Sequence, residues 1–416
     1  MPSEAEEIWR YSRIDDLDLD AYRPPAAAAE TPTAPDAIPR PLEALVDASG
    51  PRSGLIVAHN GRVVHIDVEP ALAAKGLVVV DGLALDDGDD LVGSVAPSST
   101  DSFTELNVAF LTSVPVVRVP RGLDVPAPVF VYHWVDADGL AHCPRTIVQA
   151  GADSEITVVE HQAGLDVTGL VDSVVELDVA EAARVRYLNI QDLGPRIWQI
   201  AYQGSRVGRD ATLQSSVVAL GGDYARTRSD SSITGQGGTS YLTAVYFADG
   251  RRMHDFRTVQ DHAAPSSTSD LLFKGAVQDR GESVYSGLIR VRKEARGTNA
   301  FQTNRNLVLS EGAEAKSVPN LEIETDDVRC SHASAVGPID EEQRFYLESR
   351  GVPPAVAERL IVLGFFAEVL DRLPIPSLVG SIRAAVAGRL QGPSGPAERA
   401  TPASGDLSEP ALGSAP

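Results

Sequence analysis

Between residues 116 and 333 the chain alternates short apolar, β-branched runs with small turn-forming residues. The clearest runs are 129–134, 146–149, 156–160, 185–190, 213–220 and 241–247. The turn-forming pairs are 151–152, 182–183, 210–211 and 237–238, roughly 30 residues apart. This spacing predicts a parallel β-helix, in which each coil covers the apolar face of the previous one. A β-sandwich also has short, evenly spaced strands, so periodicity alone leaves that alternative open.

Downstream of the β region the apolar positions follow a helical period. Asp340 predicts the N-cap of a helix that runs through Arg350, because a carboxylate there accepts hydrogen bonds from the first-turn amides. A second helix is predicted to begin at Pro353 or Pro354. A third amphipathic segment covers residues 377–390.

The N-terminal part has a different character. Residues 4–23 predict a short capped helix and the segment that leaves it, and the proline-rich stretch 24–41 predicts an extended linker. The predicted domains are a helix and Pro/Ala-rich linker (1–41), a small α/β region (42–115), a β-helix core (116–336), a C-terminal helical domain (337–391) and a disordered tail (392–416). The predicted fold class is therefore mainly β, with helical or α/β regions on both sides of the core.

Composition limits the function. The 416 residues carry a formal charge of -22, which opposes nucleic acid as a partner because phosphate binding needs clustered Lys and Arg. The start of the chain is acidic and no run approaches the ~18 apolar residues that span a bilayer. Two distant cysteines, Cys143 and Cys330, give no disulfide framework. We expect a cytoplasmic protein with no membrane contact.

The strongest chemical signal is Cys330, which lies two residues before His332. Alternation upstream predicts a strand, so the thiol and the imidazole are expected on one face, roughly 7 Å apart. Burial of a small apolar cysteine and of a hydrogen-bonded histidine is the structural alternative. Two ligands cannot complete a tetrahedral metal site or an iron–sulfur cluster, which ordinarily takes four donors. The missing donors must then come from elsewhere.

Four carboxylates precede this pair and could help recruit ferrous iron, although such residues are more often the solvated face of a strand. They are Glu322, Glu324, Asp326 and Asp327. Arg329 is also adjacent and could lower the pKa of the Cys330 thiol, but alternation aims it away.

Other candidate sites are weaker. His254 and His262 are eight residues apart and could share a strand face, but core or surface histidines are the preferred interpretation. Cys143 has no metal-ligand spacing around it and is interpreted as structural. The glycines at 235–238 lack the Lys-Ser or Lys-Thr of a phosphate-binding loop, and no nucleophile elbow or catalytic triad is evident. The chain itself is not expected to hydrolyse ATP.

Segments 298–307, 319–332 and 345–351 resemble the SufB/SufD family of iron–sulfur cluster assembly proteins in order and spacing. The similarity extends over nearly the whole chain apart from the linker and the tail. The Cys-Ser-His form at residue 330, the length and the absence of a cysteine in the middle of the β region resemble the SufD branch rather than the SufB branch.

The resemblance implies a right-handed parallel β-helix that pairs with a SufB-type subunit and docks SufC-type ATPases through its C-terminal helices. It places His332, with Cys330 nearby, where a transient iron–sulfur cluster forms between two β-helices. It implies a non-enzymatic scaffold that uses ATP only through its partner, and it leaves a flavin open. Two residues depart from the family pattern: Ala333 replaces a usual Gly, and Met253 replaces a frequent His.

Two other functions remain as hypotheses. A β-helix can carry a polysaccharide lyase or hydrolase site, but such sites need stacking aromatics, and aromatic residues make up only 6% of this acidic chain. The chain could also be a purely structural interaction module with Cys330 buried.

Overall fold

The structure is a computed structural model that describes residues 2–24 and 38–390. Most of the predicted linker and the predicted disordered tail (392–416) lie outside the described residues. The N-terminal region contains α1 (Arg40–Ala48), β1 (Gly54–His59), β2 (Arg62–Val68), α2 (Pro70–Ala73), β3 (Val78–Asp81), α3 (Gly88–Leu91), α4 (Ser102–Ala109) and β4 (Pro115–Val119). β1 and β4 join the two sheets of the core, so this region is continuous with the β domain.

The core is a β-helix built from two ten-stranded sheets. Its strands are β5 (Val129–Val135), β6 (Leu140–His142), β7 (Arg145–Ala150), β8 (Glu155–Gly164), β9 (Gly169–Val179), β10 (Arg184–Asp192), β11 (Ile197–Val207), β12 (Thr212–Ala219), β13 (Tyr224–Ile233), β14 (Thr239–Ala248), β15 (Met253–His262), β16 (Thr268–Val277), β17 (Glu282–Val291), β18 (Thr298–Val308), β19 (Glu314–Ile323) and β20 (Val328–Gly337). From β8 onwards, successive strands alternate between the sheets, and each pairs in parallel with the strand two positions later. The predicted parallel β-helix is confirmed.

The corners of the coils repeat one backbone conformation. Asp153, Ala182, Asp210 and Gly237 have φ values of 60°, 56°, 52° and 73°, in the left-handed region. Each of their amides donates to a carbonyl at the next corner, as in Ala182 to the carbonyl of Arg209 (2.8 Å). Gly and Asp tolerate this conformation best, which explains their recurrence at the corners, whereas Ala182 adopts it despite its Cβ.

The two ends of the solenoid differ. At the N-terminal end, β2 pairs antiparallel with β1 and β3 pairs antiparallel with β4, so antiparallel strands cover the first coil. At the other end, the described residues place no strand beyond β19 or β20, which pair only with β17 and β18 respectively. The last coil therefore has two unpaired strand edges and an uncovered cross-section.

The short capped helix predicted within residues 4–23 does not form as an α-helix. This segment forms three single 3₁₀ turns, Glu7–Trp9, Ile14–Asp16 and Leu19–Ala21, laid across the β-helix. Arg226 on β13 donates to the carbonyl of Ile8, and Arg257 on β15 donates to the carbonyl of Arg10. These contacts occupy carbonyls that an α-helix would use for its own hydrogen bonds. The guanidinium carbon of Arg226 also lies over the indole of Trp9, 3.9 Å from the centre of that ring.

The C-terminal elements are α5 (Glu341–Ser349), α6 (Pro354–Leu370) and α7 (Pro376–Arg389). Asp340 accepts from the first-turn amides of α5 as predicted. α6 buries Phe366 and Val369 in the same apolar cluster as Leu272 of β16, and Lys274 of the same strand donates to the carbonyl of Phe365 (2.9 Å). The helices thus pack on the outer face of one sheet.

Candidate functional site

Cys330 and His332 both lie on β20, the last strand of its sheet. Their register partners on β18 are Ala300 and Gln302, which are both buried inside the solenoid. Register neighbours in parallel coils point the same way, so the thiol and the imidazole belong to the inward-facing row. His332 is nevertheless exposed, because no further coil covers it.

The same rule defines the whole open cross-section. On β19, Leu321 and Ile323 follow the buried Ile289 and Val291 of β17, yet they are 37% and 42% exposed. We call this surface the open end; its inward-facing residues are Ser317, Pro319, Leu321, Ile323, Cys330, His332, Ser334 and Val336. The hydroxyl of Ser334 donates to Ser317 across the two strands (2.7 Å). Sequence alternation predicted that Cys330 and His332 share a face, but not that they lie on the terminal coil.

Cys330 is half-buried and packs against a small cluster that includes Ile289, Val291 and Ala300. This burial raises the pKa of the thiol above its ordinary value. Burial, and not the positive charge of Arg329 that the sequence suggested, therefore determines the direction in which the pKa of Cys330 is shifted.

The preceding carboxylates do not join this pair. Glu322 is exposed and forms an ion pair with Arg290 (3.1 Å), its outward-facing register partner on β17. Within residues 2–24 and 38–390, no three His, Cys, Asp or Glu side chains are grouped so that they could hold a metal ion.

The other candidate residues are in the interior. His262 is buried, with its ring nitrogens 2.8 and 2.9 Å from the hydroxyls of Ser267 and Ser269. His254 is buried and its Nε2 lies 3.2 Å from the carbonyl of Phe247. Burial lowers the pKa of His254 to about 3 and that of His262 to about 4, so both are neutral. Cys143 is buried, and its pKa is raised by burial.

A second exposed surface lies on the helices that follow β20. Phe345 and Tyr346 of α5 are 73% and 58% exposed, and Val356 and Leu360 of α6 are also exposed. We call these four residues the helical patch. No helix in the described part of the chain is both long enough and apolar enough to cross a bilayer.

Residues 133–365 match the family described as "SUF system FeS cluster assembly, SufBD core domain". An iron–sulfur cluster assembly SufBD family protein of Mycobacterium tuberculosis is 36% identical over 303 residues, covering 70% of this chain and 75% of that protein. A SufBD family protein of Mycobacterium leprae is 33% identical over 381 residues (89% and 91%). The iron–sulfur cluster assembly protein SufD of Escherichia coli is 27% identical over 398 residues (94% and 90%). The chain belongs to the SufBD family of iron–sulfur cluster assembly proteins and is most like SufD.

Proposed function

We propose that this chain is a non-catalytic, cytoplasmic SufD-like subunit of an ATP-dependent scaffold, and that its open end pairs with a SufB-type subunit to build iron–sulfur clusters. The observation that carries the proposal is the exposure of inward-facing residues on the last coil. His332 and Ile323 occupy rows that are buried one coil earlier, at Gln302 and Val291. A solenoid ordinarily ends in a capping element, and this end lacks one among the described residues.

The open end favours a partner with the same fold. Its two unpaired strand edges offer backbone donors and acceptors to another chain. A partner that places one strand beside β19 and another beside β20, each at the ~4.8 Å spacing of paired strands, would continue both sheets at once. It would also cover Leu321 and Ile323, whose side chains cost free energy while they face water.

The cluster is the cargo of this interface. Thiolate sulfur and imidazole nitrogen are both established ligands of iron–sulfur clusters. His332 would bind iron directly, and Cys330 would act as a supporting ligand or a sulfur relay. Because two donors leave a cluster incomplete, the partner would supply the others.

The helical patch is the proposed docking site of a SufC-type ATPase. Phe345 and Tyr346 place two large aromatic side chains in solvent, which is typical of protein interaction surfaces. α5 begins four residues after β20 ends, so a displacement of α5 by the ATPase would reach the strand that carries His332.

The cluster role is tested by His332→Ala in the complex reconstituted with its SufB-type and SufC-type partners. We expect iron and sulfide per complex to fall, because a ligand is lost from an exposed position that does not support the fold. Ser331→Ala, on the adjacent and oppositely facing residue, is the control and should assemble clusters as the wild type does. Unchanged assembly with His332→Ala would refute the proposed role.

ATPase docking is tested by Phe345→Asp. The control is Leu83→Asp, because Leu83 is also a large exposed apolar residue (54% exposed) but lies in the N-terminal region. Isothermal titration calorimetry should show weaker ATPase binding for the first variant alone. Equal binding by both variants would remove the helical patch from the proposal.

A further inference from the structure

Gln302 lies directly below His332, one coil deeper in the solenoid. Its side chain is 1% exposed, and within residues 2–24 and 38–390 neither its amide nitrogen nor its amide oxygen has a hydrogen-bond partner. A buried amide without partners is costly, because each polar atom has lost its hydrogen bonds to water and gained none in the protein. Such a group calls for an explanation.

The neighbouring side-chain amides on β18 are equally deep in the solenoid, but they are hydrogen-bonded. Asn304 Nδ2 donates to Tyr246 Oη (2.9 Å), and Asn306 Nδ2 donates to Asn304 Oδ1 (2.9 Å). Tyr246 Oη in turn donates to Asn306 Oδ1 (2.7 Å). Asn304 and Asn306 lie below Ser334 and Val336, whereas the unsatisfied amide of Gln302 is the one below the imidazole.

The chemistry of a ligating histidine supplies the missing partner. When one ring nitrogen binds a metal, the other carries a proton and ordinarily donates it to a carboxylate or carbonyl oxygen, which fixes the tautomer and the ring orientation. Adjacent strands are ~4.8 Å apart, so a side-chain carbonyl one coil below His332 is within reach of its ring. In this structure the His332 side chain makes no hydrogen bond or ion pair with any described residue, so a contact with Gln302 forms by side-chain rotation.

We propose that Gln302 is the positioning residue of His332: its Oε1 accepts the imidazole N–H and so directs the other ring nitrogen towards the open end and the iron of the nascent cluster. This inference rests on the proposed function, because it assumes that the outward nitrogen binds iron. Gln302 itself does not touch the cluster.

The chain provides a matched control. Gln260 on β15 is equally buried and also has an amide without partners. Its register neighbours are Ser231 and Ile289, so it lies away from His332. Gln302→Met and Gln260→Met remove the same chemical group with little change in volume, and any general effect on the fold should be shared by both.

Two readouts are required. In the isolated chain, ¹⁵N spectra of labelled histidine at alkaline pH should show one dominant tautomer for His332 in the wild type and in Gln260→Met. Gln302→Met should give a mixture of tautomers, with His332→Ala identifying the signal. In the reconstituted complex, Gln302→Met should retain iron about 10- to 100-fold more weakly, with Gln260→Met unchanged.

An unaltered tautomer or unaltered iron retention in Gln302→Met overturns the positioning role, as does an equal effect of Gln260→Met. Failure of the proposed function looks different, since His332→Ala would then leave assembly intact. The tautomer measurement needs no partner and decides the role of Gln302 in either case.

Discussion

Replacing Arg145 by methionine breaks a buried ion pair that joins the N-terminal region to the β-helix. The guanidinium is fully buried and donates to Glu176 (2.8 Å), to Asn107 Oδ1 (3.0 Å) and to the carbonyl of Ala96 (2.7 Å). Methionine fills most of the volume but offers no donor. The variant leaves a buried carboxylate without its cation.

The size of the effect follows from that burial. Breaking a buried pair by removing one partner costs about 3–5 kcal/mol, since the remaining charge stays uncompensated. Glu176 retains backbone donors at Gly93 (2.8 Å), Val95 (2.7 Å) and Ala96 (3.0 Å), which places the expected loss towards the lower end of this range. Glu176→Leu should be at least as damaging, because it leaves those three amides unpaired.

Urea unfolding followed by tryptophan fluorescence measures the loss as a shift of the midpoint at constant slope. The control is Arg209→Met, which breaks the Arg209–Glu181 pair whose side chains are 60% and 53% exposed. Exposed pairs contribute little to stability, because solvent screens the attraction. If Arg145→Met is no more destabilising than Arg209→Met, the assigned role of the buried pair is wrong.

Three further predictions concern the core and the open end. Burial raises the pKa of Asp172 well above 3.8, so the stability that the protonated carboxyl contributes is present at low pH and is lost as pH rises. In urea titrations, Asp172→Asn should therefore become more stable than the wild type above pH 4, by a margin that grows with pH. Gly275→Ala should destabilise severely in thermal melts, because the added Cβ overlaps the ring of Tyr246. Under native conditions a thiol reagent should label Cys330, faster as pH rises, but label Cys143 only after unfolding; two fast thiols would contradict this burial pattern.

The sequence revealed the repeating architecture because its corners impose a local requirement. Left-handed residues such as Ala182 and Asp210 recur once per coil, and the runs between them are strands at the predicted places. The N-terminal helix was mispredicted because its outcome depends on Arg226 and Arg257, more than 200 residues away in the sequence. Local patterns do not contain such contacts.

At the candidate site, alternation was enough to place Cys330 and His332 on one face. That alternation did not explain their exposure. It arises from the lack of a covering coil, whereas the acidic segment contributes outward-facing side chains such as Glu322, which is paired with Arg290. Gln302 could not be identified from the sequence, because only the register places its amide beneath the imidazole.

The central claim is that the open end holds a cluster only against a second chain. The direct measurement is anaerobic iron and sulfide content of this chain alone, of its complex with a SufB-type subunit, and of the same mixture with Ile323→Lys, which puts a charge on the open end. Of these three samples, we expect only the wild-type complex to contain a cluster. The Ile323→Lys variant should fold but not bind the SufB-type subunit. A full cluster on the isolated chain, or on the Ile323→Lys mixture, would contradict the account.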